Sequence, residues 1–97
     1  MSPLIFSPKA ARDIDEIWEY SARRWDVDQA ERYIGTIREA CEALGRRERL
    51  GLDASTIRAS YRRLRCGSHV IFYRRISDEM IEIIRILHQQ MDFARHL

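Results

Sequence analysis

The stretch HVIFYRRISDEMIEIIRILH, residues 69–88, decides the fold of this 97-residue chain. It holds two apolar runs, at 69–76 and 80–88, separated by the polar turn SDE. β-Branched and aromatic residues bounded by turn residues indicate two neighbouring strands joined by that turn. The 80–88 run has apolar residues at both parities, which is typical of a strand near the centre of a sheet.

Two shorter runs predict further strands. YRRLR at 61–65 indicates a strand with a strongly basic face, and Gly67 with Ser68 supplies the turn into the next strand. PLIF at 3–6 is a short apolar run that is compatible with a strand. Because short turns join the strands between 61 and 88, we expect a small and mostly antiparallel sheet.

The first helix is predicted over residues 8–24. Ser7 followed by Pro8 is a helix start signal, because serine caps the first turn and proline suits the first helical position. Apolar residues then recur at helical spacing, and we expect Trp18 and Trp25 to anchor the core. The stripe consists of Ile14, Ile17, Trp18 and Trp25.

A second helix is predicted a few residues later. Asp28, with Glu31 three positions on, has the pattern of a helix cap. The apolar stripe that follows consists of Ala30, Tyr33, Ile34, Ile37, Cys41 and Leu44. The short break makes the two helices a hairpin. The predicted order is β-α-α-β-β-β, one α+β domain over 1–97, with the helical hairpin packed on the sheet.

Charge is unevenly distributed along the chain. Residues 1–56 hold 9 Lys and Arg against 11 Asp and Glu, whereas residues 57–97 hold 8 Arg against 4 Asp and Glu. All but one of the basic residues are arginines, which favour forked contacts to carboxylates or phosphates. A solvated surface and an anionic partner for the second half both account for this.

The two cysteines and the hydropathy favour a cytoplasmic protein. Cys41 and Cys66 form no disulfide framework and are expected to be reduced, structural thiols. No apolar run is long enough for a membrane span, and no signal peptide is evident.

Metal and nucleophile patterns are absent from the sequence. Cys66 and His69 are three residues apart, but His88 and His96 supply no second clustered pair, so no zinc spacing exists. No glycine-flanked serine elbow or phosphate-binding glycine loop occurs. We therefore expect no metal, no cofactor and no catalytic residues of these classes.

Arg85 is the sharpest single signal. It stands inside an otherwise apolar strand, where an unpaired guanidinium would be costly. We expect it to reach the sheet edge, a carboxylate such as Glu82 or Asp92, or an external anion. A structural ion pair and a functional role both remain open.

Three segments carry a resemblance to a known family. FSPKAARDIDEIWEYSARRWDVDQAERYI (6–34), YRRLRCGSHVIFYRR (61–75) and IIRILHQQMD (83–92) resemble ParE toxins of bacterial toxin–antitoxin systems. The resemblance covers essentially the whole chain and implies the RelE/ParE fold. It also implies one of two activities: inhibition of DNA gyrase, as in ParE-like members, or ribosome-dependent cleavage of messenger RNA, as in RelE-like members.

Two places in the sequence distinguish these two classes. The stretch that carries an arginine in the ribonucleases reads His69, Val70, Ile71 here, and their catalytic tyrosine position is Gln89. The resemblance therefore favours a gyrase inhibitor that is not an enzyme, with the RelE-like endoribonuclease as the alternative. A non-toxic binding module built on the same fold is a third class.

The resemblance also implies partners and contact residues. A ParD-type antitoxin is expected to bind this chain in a hetero-oligomer. DNA is expected to be contacted only through the antitoxin. The tail after Leu87 is expected to be an exposed gripping surface, separate from the core. Candidate target contacts are Arg63, Arg65, Arg85, His88, Met91 and Asp92, and candidate antitoxin contacts are Ile14, Trp18, Ile34 and Ile37.

Overall fold

A computed structural model describes residues 3–97, which form a five-stranded sheet with a helical hairpin on one face. The elements are β1 (Leu4–Phe6), α1 (Pro8–Arg24), α2 (Val27–Gly45), β2 (Leu52–Asp53), β3 (Arg62–Cys66), β4 (His69–Ser77), β5 (Met80–His88) and α3 (Phe93–His96). The predicted α+β class and the order of its main elements are confirmed. The two-residue β2 and the four-residue α3 were not predicted, because elements this short show no periodicity.

The sheet has the strand order β1-β5-β4-β3-β2. β1 runs parallel to β5 and every other pair is antiparallel. In the central pair, Phe72 faces Arg85 but Tyr73 faces Ile83, so Ile84 is an extra residue in β5. Such a bulge interrupts the regular alternation of side chains. The bulge sets Arg85 opposite Phe72, beyond the last residue of β5 that pairs with β1.

The two long helices, α1 and α2, each begin at a side-chain cap. The Ser7 hydroxyl accepts a hydrogen bond from the Ala10 amide at 3.0 Å, and α1 has the predicted bounds. In α2 the cap is Asp26, whose carboxylate accepts from the Gln29 amide at 2.7 Å. The prediction that Asp28 caps this helix was wrong, because Asp28 lies within the first turn.

Apolar side chains are buried on both faces of the sheet. The larger cluster lies between the sheet and the helical hairpin and includes Ile14, Ile37, Ile71 and Ile83. The smaller cluster, on the other face, consists of Ala54, Val70, Phe72 and Leu87. It is partly covered by side chains from loops and the C-terminus, namely Ile57, Tyr61, Phe93 and Leu97.

Both cysteines are buried free thiols. Burial raises the pKa of the Cys41 thiol to about 12 and also raises the pKa of Cys66. The thiolate is the reactive form of cysteine, so both side chains are protonated and act as small apolar residues.

One of the two tryptophans lies outside the core. Trp18 is partly buried and packs against the larger cluster, but Trp25 is 57% exposed. The expectation that Trp25 anchors the core was wrong. Trp25 follows the last residue of α1 with φ −120° and ψ −89°, so it leaves the helical spacing that would have turned it inward.

In residues 3–97, neither long helix has the length and apolar character that a membrane crossing requires.

Candidate functional site

A groove runs between α1 and the C-terminal end of β5. It has a volume of about 550 Å³ and is lined by Tyr20 of α1, Arg85 and His88 of β5, and Met91 and His96 beyond. We call it the tail groove. An adjoining hollow of about 380 Å³ shares Tyr20 and His88 and reaches Trp25.

Arg85 is held in the tail groove by a forked ion pair with Asp13. Its Nε donates to Asp13 Oδ2 at 2.8 Å and its Nη2 donates to Asp13 Oδ1 at 2.9 Å. The two side chains are 17% and 8% exposed. Hydrogen bonding to this carboxylate raises the pKa of the Arg85 guanidinium, so the arginine stays charged.

The partner of Arg85 therefore differs from both carboxylates predicted from the sequence. Glu82 pairs with Arg74 at 3.0 Å instead. Asp92 is exposed and precedes α3. Asp13 was not predicted as the partner, although it lies on the apolar face of α1, where an acidic residue indicates a buried ion pair. The other residues of this buried face are Ala10, Ile14, Ile17 and Ser21.

Asp13 also completes the open edge of β5. β1 pairs with β5 only as far as Ile83. Beyond it, the Ser7 hydroxyl donates to the Ile84 carbonyl at 2.7 Å, and the Ile86 amide donates to Asp13 Oδ2 at 2.9 Å. Buried backbone groups need such partners. Side chains at the start of α1 thus replace the missing strand.

The C-terminal tail packs against the sheet. Phe93 contacts Phe72 edge-on with ring centroids 4.9 Å apart, and Arg85 Nη1 donates to the His96 carbonyl at 3.0 Å. Arg58 donates to the Leu97 carbonyl. The expectation that the tail after Leu87 is separate from the core was wrong, because Phe93 and Leu97 cover the smaller cluster.

Tyr33, His69 and His88 meet at the boundary of the groove and the hollow. The Tyr33 hydroxyl lies 2.6 Å from His69 Nδ1 and accepts from the Ser68 amide at 3.0 Å. The same hydroxyl also lies 3.5 Å from the Cys66 carbonyl oxygen, to which it can donate. The His69 and His88 rings meet edge-on at 5.4 Å. Sequence spacing alone could not reveal this cluster.

Tyr33 and His69 are both uncharged at neutral pH. Burial lowers the pKa of His69 to about 4, and the neighbouring His88 adds to this effect while Asp13 opposes it. Burial raises the pKa of Tyr33. A neutral imidazole beside a protonated phenol is a stable hydrogen-bonded pair and a weak base.

The side chains around the groove and its adjoining hollow determine what the surface can bind. Each guanidinium nitrogen of Arg85 already donates to an acceptor in the protein, which leaves only the second N–H of each terminal nitrogen for another ligand. Within residues 3–97, no three His, Cys, Asp or Glu side chains are placed to hold a metal ion. The exposed side chains Tyr20, Trp25 and Met91 are of the types enriched in protein interfaces.

The predicted target contacts divide into two groups. Arg85, His88 and Met91 come together in the tail groove, with the exposed Asp92 beside them. Arg63 and Arg65 lie on β3 opposite Phe72 and Val70, on the face of the sheet away from α1 and α2. Their role as contacts stays a prediction.

The predicted antitoxin contacts lie mostly inside. Ile14, Ile34 and Ile37 belong to the larger cluster and are at most 6% exposed. Trp18 lies at its edge, and its indole nitrogen donates to Glu31 at 3.2 Å. The contact role of these four residues also stays a prediction, and Trp18 is the most accessible of them.

Comparisons with known proteins agree on one family. The family described as ParE toxin of type II toxin-antitoxin system, parDE, matches residues 4–93. Toxin ParE1 of Mycobacterium tuberculosis is 40% identical over 96 residues, which are 99% of this chain and 98% of that protein. Toxin ParE1 of Caulobacter vibrioides is 41% identical over 97 residues, covering 100% and 99%. The solved chromosomal ParDE system from P. aeruginosa superposes with a TM-score of 0.76 at 22% identity, covering 91% of this chain and 96% of that one.

Proposed function

The chain belongs to the ParE toxin family of type II toxin–antitoxin systems, and we propose that it poisons its host cell by inhibiting DNA gyrase. It does so by protein–protein contact in the cytoplasm, without catalysing a reaction. A ParD-type antitoxin neutralises it in a hetero-oligomer and makes the only DNA contacts of the complex.

The observation that carries this proposal is the character of the tail groove. Tyr20, Trp25 and Met91 are 63%, 57% and 45% exposed around it and its adjoining hollow. Exposed aromatic residues and methionine around a concave surface favour a protein partner. The Asp13–Arg85 pair fixes the wall of the groove, which lowers the ordering cost of binding.

A ribosome-dependent endoribonuclease is the second candidate. The observation in its favour is the Tyr33–His69–His88 cluster, because tyrosine and histidine are common proton-transfer groups. Two features count against it. The pKa of His69 is lowered to about 4, and Arg85 is occupied by Asp13 and the His96 carbonyl.

Two assays run side by side test the proposal. Purified protein is added to DNA gyrase with relaxed plasmid, and separately to ribosomes carrying a defined messenger RNA. We expect inhibited supercoiling and intact messenger RNA. Codon-specific cleavage with unaffected supercoiling would replace the proposal with the ribonuclease, and no effect in either assay would favour the non-toxic binding module.

A further inference from the structure

A second surface lies at the opposite end of the sheet from the tail groove. His69 and His88 pair at one end of the β4–β5 hairpin, whereas Arg75 and Ile81 pair near its turn. Here a pocket of about 230 Å³ opens between the loop after α2 and the sheet. We call it the arginine pocket.

Four arginines surround an apolar floor in this pocket. Arg47 and Arg49 come from the loop and Arg62 and Arg75 from the sheet, while Leu44 and Ile81 form part of the floor. Within residues 3–97, none of these arginines has a carboxylate within 4 Å. Four like charges this close favour an anionic ligand.

The backbone of the loop is arranged to present Arg47. The Arg47 amide donates to the Leu44 carbonyl and the Glu48 amide to the Ala43 carbonyl, which is the Schellman end of a helix. The residue after the cap in this motif has a left-handed conformation and is usually glycine. Arg47 occupies it with φ 62°, a conformation that L-residues rarely adopt.

The loop is also fixed at its other end. The Gly51 amide donates to the Tyr73 hydroxyl at 2.7 Å, and Arg62 Nη2 donates to the Gly51 carbonyl. Arg62 Nε is buried without a hydrogen-bond acceptor among the described residues. The pocket is therefore largely pre-formed, with a buried cationic donor that a ligand oxygen could satisfy.

We propose that the arginine pocket binds an acidic peptide segment of the antitoxin, with an apolar side chain on the floor and flanking carboxylates on the arginines. This inference rests on the proposed toxin–antitoxin function. A disordered acidic tail that orders on binding suits a pre-formed pocket with fixed charges.

A peptide suits the pocket better than a nucleic acid does. The floor is apolar and recessed, whereas a phosphate backbone would track surface charge without filling it. Arg46 beside the pocket is paired with Glu39, Glu42 and Glu48. These carboxylates would repel a long polyanion that extended past the pocket, whereas a short acidic segment would remain among the arginines.

Calorimetry with the purified antitoxin encoded beside the toxin gene tests the proposal by measuring the dissociation constant of the complex. In the pocket variant, Arg49→Glu with Arg75→Glu, we expect the dissociation constant to rise by about tenfold or more per reversed charge, as when interface ion pairs lose a partner. The control, Arg12→Glu with Arg38→Glu, changes charge equally at exposed helix positions with no ion pair among the described residues. It should bind as the wild type does, and thermal melts should show all variants folded.

Three outcomes would overturn the inference. The pocket variant could bind the antitoxin as tightly as the wild type, or the control could weaken as much, which would mark a general charge effect. Alternatively, the pocket variant could lose affinity only for a fluorescent duplex DNA, which would mark a nucleic-acid site. The same variants in the gyrase assay separate the two proposals, because the pocket variant should still inhibit supercoiling. A wild type that binds antitoxin through the pocket but spares gyrase would refute only the proposed target.

Discussion

Arg85 on β5 and Asp13 on α1 are 72 residues apart in sequence and are joined by two parallel hydrogen bonds of 2.8 and 2.9 Å. The same aspartate accepts from the Ile86 amide, and the same arginine donates to the His96 carbonyl. One ion pair thus connects the first helix, the edge of the sheet and the C-terminal tail. Its loss should disturb all three.

Replacing Arg85 by alanine should lower the free energy of unfolding by about 3–5 kcal/mol, because Asp13 would remain buried without its counter-charge. Urea denaturation measures this. The control is Arg74→Ala, which breaks the more exposed pair with Glu82 and should cost less than about 1 kcal/mol. Equal losses in the two variants would show that the Arg85 pair is no more structural than a surface contact.

Replacing Phe93 by alanine should destabilise the protein, although the residue lies in the tail. The variant removes the ring that packs on Phe72, at a cost of about 1–3 kcal/mol for a partly buried phenylalanine. Arg95→Ala, an exposed change in the same short helix, is the control. If thermal melts of the two variants coincide, the tail does not contribute to the core. For the same reason, deleting residues 89–97 would not test target binding cleanly, because the deletion removes both the exposed tail and side chains that stabilise the fold.

His69 should make the protein less stable in acid. Its pKa is lowered from 6.5 to about 4 in the folded state, so the unfolded state binds the proton more readily between these values. The contribution of neutral His69 to the free energy of unfolding is fully present above pH 6.5 and is lost as the pH is lowered to about 4. Allowing for solvent screening, the loss is about 1–2 kcal/mol.

The variant His69→Gln isolates this effect, because glutamine can hydrogen-bond to the Tyr33 hydroxyl without titrating. Melting temperature followed from pH 7 to pH 4 should fall less steeply in this variant than in the wild type. The control His96→Gln changes an exposed histidine and should keep the wild-type slope. Identical slopes in all three proteins would contradict the lowered pKa of His69.

Two glycines should respond to alanine in opposite directions. A Cβ atom at Gly51 would lie 2.3 Å from the Arg63 carbonyl oxygen, so Gly51→Ala must shift the backbone, at a cost of about 1–3 kcal/mol. A Cβ atom at Gly35 meets nothing within 4 Å in the middle of α2, and alanine there should stabilise by about 0.5–1 kcal/mol. Chemical denaturation of both variants measures the signs. A neutral Gly51→Ala would mean that the loop after α2 is not held against β3.

Local signals predicted the helices and strands well. Ser7 and Pro8 mark the start of α1 because a cap and a fixed φ act on neighbouring residues, and the run at 80–88 coincides with β5. The start of α2 was misplaced by two residues. Asp26 and Asp28 are equally good caps by residue type, and only the backbone conformation selects Asp26.

The site could be predicted only in part. Arg85 and His88 were found because polar residues at the end of an apolar strand are conspicuous. Their partners depend on how α1 and α2 pack on the sheet, so Asp13 and Tyr33 could not be assigned from spacing. The acidic residue on the apolar stripe of α1 was nevertheless a readable sign of a buried pair.

The central claim is tested most directly by measuring how well variants of the tail groove inhibit supercoiling by DNA gyrase. Tyr20→Ala with Met91→Ala removes two exposed side chains of the tail groove, and Leu52→Ala with Ile76→Ala removes two exposed apolar side chains elsewhere. If gyrase binds the groove, the half-inhibitory concentration should rise by about tenfold or more for the groove variant, the scale of lost interface hot spots. The control should inhibit as the wild type does. Full inhibition by a folded groove variant would contradict the claim that this groove contacts gyrase.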